Sequence, residues 1–171
     1  MKTVRIVSKI LHVVALVLSV LYLATSLYSC VVLTLKTPQF SIIDGGRRFK
    51  IVYPFTDTAF LLGENTVAQM ATMVLLIGLY GVFFYLISNV FRIFSGQKWF
   101  TEQGINRLRW FYLSNFTVPI TVYALFKTFW AVESPAELLV ALHGLLGVFT
   151  FFIAAIFEQG LHLQNEQDLI I

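Results

Sequence analysis

Three histidines, one cysteine and nine carboxylates make up the metal-binding and acid–base inventory of this 171-residue chain. Two of the histidines, His12 and His143, fall inside long apolar runs, where a facing pair of imidazoles would hold a haem iron. At 1.5 Å rise per residue, His12 lies about one turn inside its run and His143 about 7–8 Å inside the opposite edge of another. Across a hydrocarbon core of about 30 Å the two rings stand about 20 Å apart, too far to share one iron. His162 lies beyond the last run, so a pair with His12 is open only at the membrane surface. Each histidine is expected to be a hydrogen-bonded structural residue, with no cofactor and no metal. Cys30 is the single cysteine, which excludes an intramolecular disulfide, a CxxC redox pair and a cysteine zinc site. No carboxylate and no arginine falls within an apolar run, so a proton-coupled transporter or a channel with charged rings lacks its parts. The remaining polar candidates, Tyr85, Asn89, Asn115, Tyr123 and His143, include no acid–base pair. Asn89 and Asn115, near the inner ends of the second and third runs, read as helix-to-helix hydrogen bonding. No catalytic residue is assigned.

The elements that would position such residues are set by four nearly uncharged stretches, about 10–35, 65–91, 110–130 and 138–157. A hydrocarbon core of about 30 Å needs about 20 apolar helical residues, so each is long enough to cross a bilayer. Hydrophobic residues make up 58% of the chain and charged residues 12%, too much apolar surface for a water-soluble fold of this length to hide. The expected fold is all-α and membrane-integral, a single four-transmembrane-helix bundle with an outer loop 36–64, an inner loop 92–109 and a cytoplasmic tail 158–171. The basic lead of Lys2, Arg5 and Lys9 resembles a signal peptide. The apolar run behind it is about twice the usual signal core, however, which favours an uncleaved anchor helix. Lys2, Arg5, Lys9, Arg92, Lys98, Arg107 and Arg109 crowd the span ends on one side. Against them stand Lys36, Arg47, Arg48, Lys50 and Lys127. The bias places both termini in the cytoplasm. The net charge of +3 is thus a topology signal, and no direct nucleic-acid contact is expected.

Local signals mark the boundaries. Thr66 with Gln69, and Ser134 with Glu137, have capping-box spacing. Pro135 takes a first helical position, Thr101 caps the third helix, and Pro119 should bend it. Trp110 and Trp130 are about 30 Å apart along that helix, one at each interface, with Lys127 reaching the outer headgroups. In the outer loop, 40–43 and 48–53 flank Asp44-Gly45-Gly46, a β-hairpin signal. Such a ribbon should rest on the outer mouth of the bundle or on a partner. Small residues at Gly78 and Gly81, and at Ala141, Gly144 and Gly147, favour close helix approach, within the bundle or between copies in a homo-oligomer.

Charge complementarity appears on the cytoplasmic side. The inner loop sets Arg92, Lys98, Arg107 and Arg109 against Glu102, while the tail carries Glu158, Glu166 and Asp168 and ends on Leu169, Ile170 and Ile171. Loop and tail are expected to fold onto each other or to dock a cytosolic protein.

Two segments resemble a signature of one bacterial membrane family. They are Gly96-Gln97-Lys98-Trp99-Phe100-Thr101 with Asn106-Arg107-Leu108-Arg109, and the terminal run from Phe157 through Gly160, Leu163-Gln164, Glu166 and Asp168-Leu169 to Ile171. The family is catalogued as domain of unknown function 2975, and its four-span layout matches along nearly the whole chain. Trp99 departs from a frequent proline, and Ile170 from a frequent threonine. The resemblance implies a multi-pass inner-membrane protein encoded beside a very small helix-turn-helix regulator that it holds or releases. The contact set expected for that partner, or for an intramolecular clamp, is Phe100, Asn106, Arg109, Gln164, Glu166, Asp168 and Leu169. The expected role is non-enzymatic signalling or sequestration. The alternatives are a small-molecule or lipid membrane enzyme, a transport accessory subunit, or a structural homo-oligomer.

Overall fold

The computed structural model describes residues 2–129 and 136–168. Four helices carry most of the chain: α1 (Lys2–Leu35), α2 (Val67–Ser95), α3 (Glu102–Phe129) and α4 (Ala136–Asp168). Between α1 and α2 lie three short strands, β1 (Phe40–Ile43), β2 (Arg48–Val52) and β3 (Ala59–Glu64). α1, α2 and residues 137–167 of α4 are long and apolar enough to cross a membrane. α3 is 28 residues long but less apolar, because Ser114, Asn115, Thr117, Pro119 and Thr121 interrupt it. The helices outrun the apolar stretches. α1 begins at Lys2 and α4 continues to Asp168, so most of the expected tail is helical.

Helix starts follow side-chain chemistry. The Thr66 hydroxyl accepts the Gln69 N–H at 3.2 Å, and the Thr101 hydroxyl accepts the Gly104 N–H at 3.1 Å. Each relieves an orphan donor of the first turn. Ser134 and Pro135 lie outside the described residues.

The chain packs as two compact units, Met1–Ala15 with Tyr85–Ile171, and Leu16–Phe84. In the second, the expected hairpin forms, with Phe40 opposite Ile51 and Ile43 opposite Arg48. Asp44, Gly45 and Gly46 turn the chain at φ of 52°, 63° and 95°, and the last two values suit glycine. The ribbon gains a third strand, since β3 pairs antiparallel with β2, Lys50 opposite Leu62. Phe49 and Ile51 are fully buried with Val32, and Tyr28, Met70 and Met73 of the two helices pack against them. The Tyr28 hydroxyl donates to the Val52 carbonyl at 2.9 Å, so the sheet rests on α1 and α2.

Below the sheet, α1 holds α2 through hydroxyls on backbone oxygens. Ser19 donates to the Gly81 carbonyl at 2.8 Å and Ser26 to the Val74 carbonyl at 3.0 Å. A Cβ on Gly81 would lie 2.8 Å from the Leu23 side chain, and one on Gly78 3.0 Å from the Ser26 hydroxyl. In the first unit, His12 Nδ1 lies 2.9 Å from the Ser88 carbonyl oxygen. His12, Ser19 and Ser26 are spaced by seven, as are Val74, Gly81 and Ser88. That is the period that returns a residue to the same helix face. The glycines of α4 divide: Gly147 meets the Phe116 ring, whereas Gly144 has open space around its Cα.

Candidate functional site

The two segments of the family signature meet in the first unit. Phe94, in the last turn of α2, meets Trp99 edge-on, and the chain delivers Phe100 onto α4. The Phe100 ring lies 5.1 Å from that of Phe157, and a Cβ on Gly160 would sit 2.7 Å from it. Gly160 is therefore the hole into which Phe100 fits. Ile93, Ile105, Leu108, Ala154 and Phe157 form the buried core around this contact, with Leu161 packed against it. At its rim, the Arg109 guanidinium donates to Glu158 Oε1 at 3.1 Å. Both side chains are more than half exposed, so the pair contributes little energy and mainly sets register. Burial first, and the Arg92 charge second, lower the pKa of the half-buried Arg107, with Tyr85 opposing. Its guanidinium still remains charged at neutral pH.

The expected contact residues fall into two groups. Phe100 and Arg109 are engaged with α4, though their partners are Phe157, Glu158 and Gly160 at the base of the tail. Asn106 is exposed on α3, Gln164 is half-buried and Glu166 is exposed. Glu166 lies 3.7 Å from His162 Nε2, one turn back on its own helix. Asp168 closes α4, and Leu169 lies outside the described residues. Among the described residues, the charge match between loop and tail takes the form of the pair Arg109–Glu158. Glu158 and Gly160 were absent from the expected contact set. A glycine three residues after an aromatic, inside a helix, was the signal that something large lies against it.

A second polar line runs between α3 and α4. Lys127 Nζ donates to the Tyr123 hydroxyl at 3.2 Å, which donates to Glu137 Oε1 at 2.7 Å. Farther along, His143 Nδ1 is 2.7 Å from Oδ1 of the buried Asn115, whose amide donates to the Phe111 carbonyl. These pairings correct the relative levels expected for His143 and Asn115, which the sequence places toward opposite ends of their runs. Glu137, in the first turn of α4, meets Tyr123, which lies six residues before Phe129, the last residue of α3. Everything on α4 is displaced accordingly, and His143 reaches the level of Asn115. Among the described residues, no three His, Cys, Asp or Glu side chains converge on a metal-sized site. Asn89 donates to the Tyr85 carbonyl within its own helix.

Residues 50–171 match the family described as "Protein of unknown function (DUF2975)". The chain belongs to that family. The DUF2975 match begins inside β2 and takes in β3, α2, α3 and α4, so both halves of the Phe100–Gly160 contact fall within it. α1 and β1 lie outside the match, which is therefore shorter than the nearly whole-chain correspondence read from the sequence. No curated protein and no solved structure matches the chain.

Proposed function

We propose that this DUF2975 chain is a four-transmembrane-helix bundle of the bacterial inner membrane, non-enzymatic, with both termini cytoplasmic. Its α4 end would hold a small cytosolic helix-turn-helix regulator. Support for α3 as the fourth span comes from its polar groups, which bond back to their own helix. Ser114 donates to the Trp110 carbonyl, Thr117 to Leu113 and Thr128 to Ala124. A hydroxyl satisfied in this way costs far less in hydrocarbon than a free one.

The observation that carries the partner reading is the course of α4. It runs unbroken to Asp168 and, past the Phe100–Gly160 contact, presents Leu163 at 61% exposure beside exposed His162 and Glu166. An exposed leucine one turn from an exposed glutamate suits a partner with an apolar spot beside a basic group. DNA-binding modules carry basic surfaces. The base of the tail is then the clamp, and its distal turns are the docking face.

The test is a photocrosslinker in place of Glu166, with another at Asn106, in cells that co-express the regulator encoded beside this chain. Crosslinking from position 166 that weakens in Leu163→Ala and at high salt is the expected result. A regulator that never crosslinks or co-purifies would overturn the reading.

A further inference from the structure

The second unit contains a groove of about 850 Å³ that the reading above does not use. Its walls are α1 from Leu23 to Thr34 with Lys36 just beyond it, and α2 from Val67 to Val82, and Phe40 and Ile42 of β1 line one end. The floor is apolar, built from side chains such as Leu33, Met70, Val74 and Leu79. Lys36 stands at the sheet end, exposed, directly after the last residue of α1. From Val67 to Val82 the groove runs about 22 Å along α2. One leaflet of hydrocarbon is about 15 Å deep, half of a core of about 30 Å. The groove is thus long enough to take a fatty chain from the headgroup layer past the bilayer midplane.

We infer that this groove is a binding site for an anionic diacyl phospholipid, with one acyl chain between α1 and α2 and the phosphate at Lys36. The inference rests on the membrane placement of α1 and α2 and adds a ligand to it. Three features select this occupant. The lining is mostly apolar, its uncharged polar members being Ser26, Thr34 and Asn65, and it carries no acid. Lys36 supplies the single cation, placed at the end where a headgroup would lie. β1 bars the way beyond Lys36, so the polar end of the ligand must stop there.

Cys30 lines the groove, is exposed, and is the sole cysteine, so it can carry a probe without other engineering. A bimane on Cys30 is read in nanodiscs of phosphatidylcholine containing a few percent of brominated-chain lipid. The brominated lipid is either phosphatidylglycerol or phosphatidylcholine. The expected result is about fivefold stronger quenching by the anionic lipid, the factor that one lysine at an anionic headgroup supports. Lys36→Glu should abolish the preference. Ala71→Phe, which fills the groove from an exposed lining position, should reduce quenching by both lipids. The control is a bimane on Cys30→Ser/Leu21→Cys, because Leu21 is 57% exposed and outside the groove. It should be quenched equally by either lipid.

Equal quenching at Cys30 by both lipids would overturn the inference. So would a dark groove beside a quenched position 21, which would mean that a second copy or a partner helix covers it. If position 21 were also unquenched, the membrane placement itself would fail, and the lipid site with it.

Discussion

The core of the sheet and the outer face of α4 show contrasting patterns of burial. In the sheet, Phe49 and Ile51 are wholly hidden while Arg48, and Arg47 in the turn before it, are exposed, the pattern of a surface that faces water. In the helices, Ser8, Ser19, Ser29, Ser88, Asn115 and Thr150 are buried. The outer face of α4 meanwhile exposes Leu138, Leu142, Leu145, Phe149, Phe152 and Ile156. Those six positions alternate by four and three residues, a continuous apolar stripe along one side. A helix that hides hydroxyls and displays leucine is stable only where the surroundings are as apolar as leucine. The sheet reports water and the stripe reports hydrocarbon, within one polypeptide.

Substitutions can break or sharpen this contrast. Phe49→Ala should be the most damaging, costing about 3–5 kcal/mol because it empties the centre of a water-type core. Thermal unfolding in detergent should fall sharply and the sheet should open. Leu145→Lys should cost about 2.5–3.5 kcal/mol in a membrane-insertion assay. Leu145→Ala should be nearly silent there, since no core is lost; a large effect of the alanine would place Leu145 against protein. Gly160→Ala should cost about 1–3 kcal/mol by pushing the Phe100 ring out of its seat. Adding Phe100→Leu should recover part of that loss. Ser19→Ala should be mildest, about 0.6 kcal/mol, the average measured for polar contacts between membrane helices. A much larger value would mean that the α1 hydroxyls, and not van der Waals packing, hold α2.

What the chain revealed before its structure depended on whether the controlling signal was local. The turn at Asp44-Gly45-Gly46 was legible because few other residues accept those dihedral angles. Thr66 and Thr101 were legible because capping acts over three residues. β3 was missed: Phe60-Leu61-Leu62 lacks β-branched residues and sits just ahead of the second apolar run, so nothing local separates a strand from the approach to a helix. The level of His143 was misjudged because depth was counted from the ends of apolar runs, whereas Glu137 and Tyr123 set the stagger of α3 and α4. The seven-residue spacing of His12, Ser19 and Ser26 was present in the letters. Nothing in them, however, said that backbone oxygens of α2 were the target. In the candidate site, Phe100 and Arg109 stood out as a motif, yet their partners on α4 depended on where two helices cross.

α4 spans 33 residues without a break, about 50 Å of hydrogen-bonded rod. Such a rod has no joint between the Tyr123–Glu137 contact near one end and Glu166 near the other. A slide of one ångström at the first place arrives as the same ångström at the second, resisted along the way by the His143–Asn115 pair, the Gly147–Phe116 contact, the Phe100 seat and the Arg109 tether. Cutting the rod with a proline between them would leave both ends folded and make each deaf to the other.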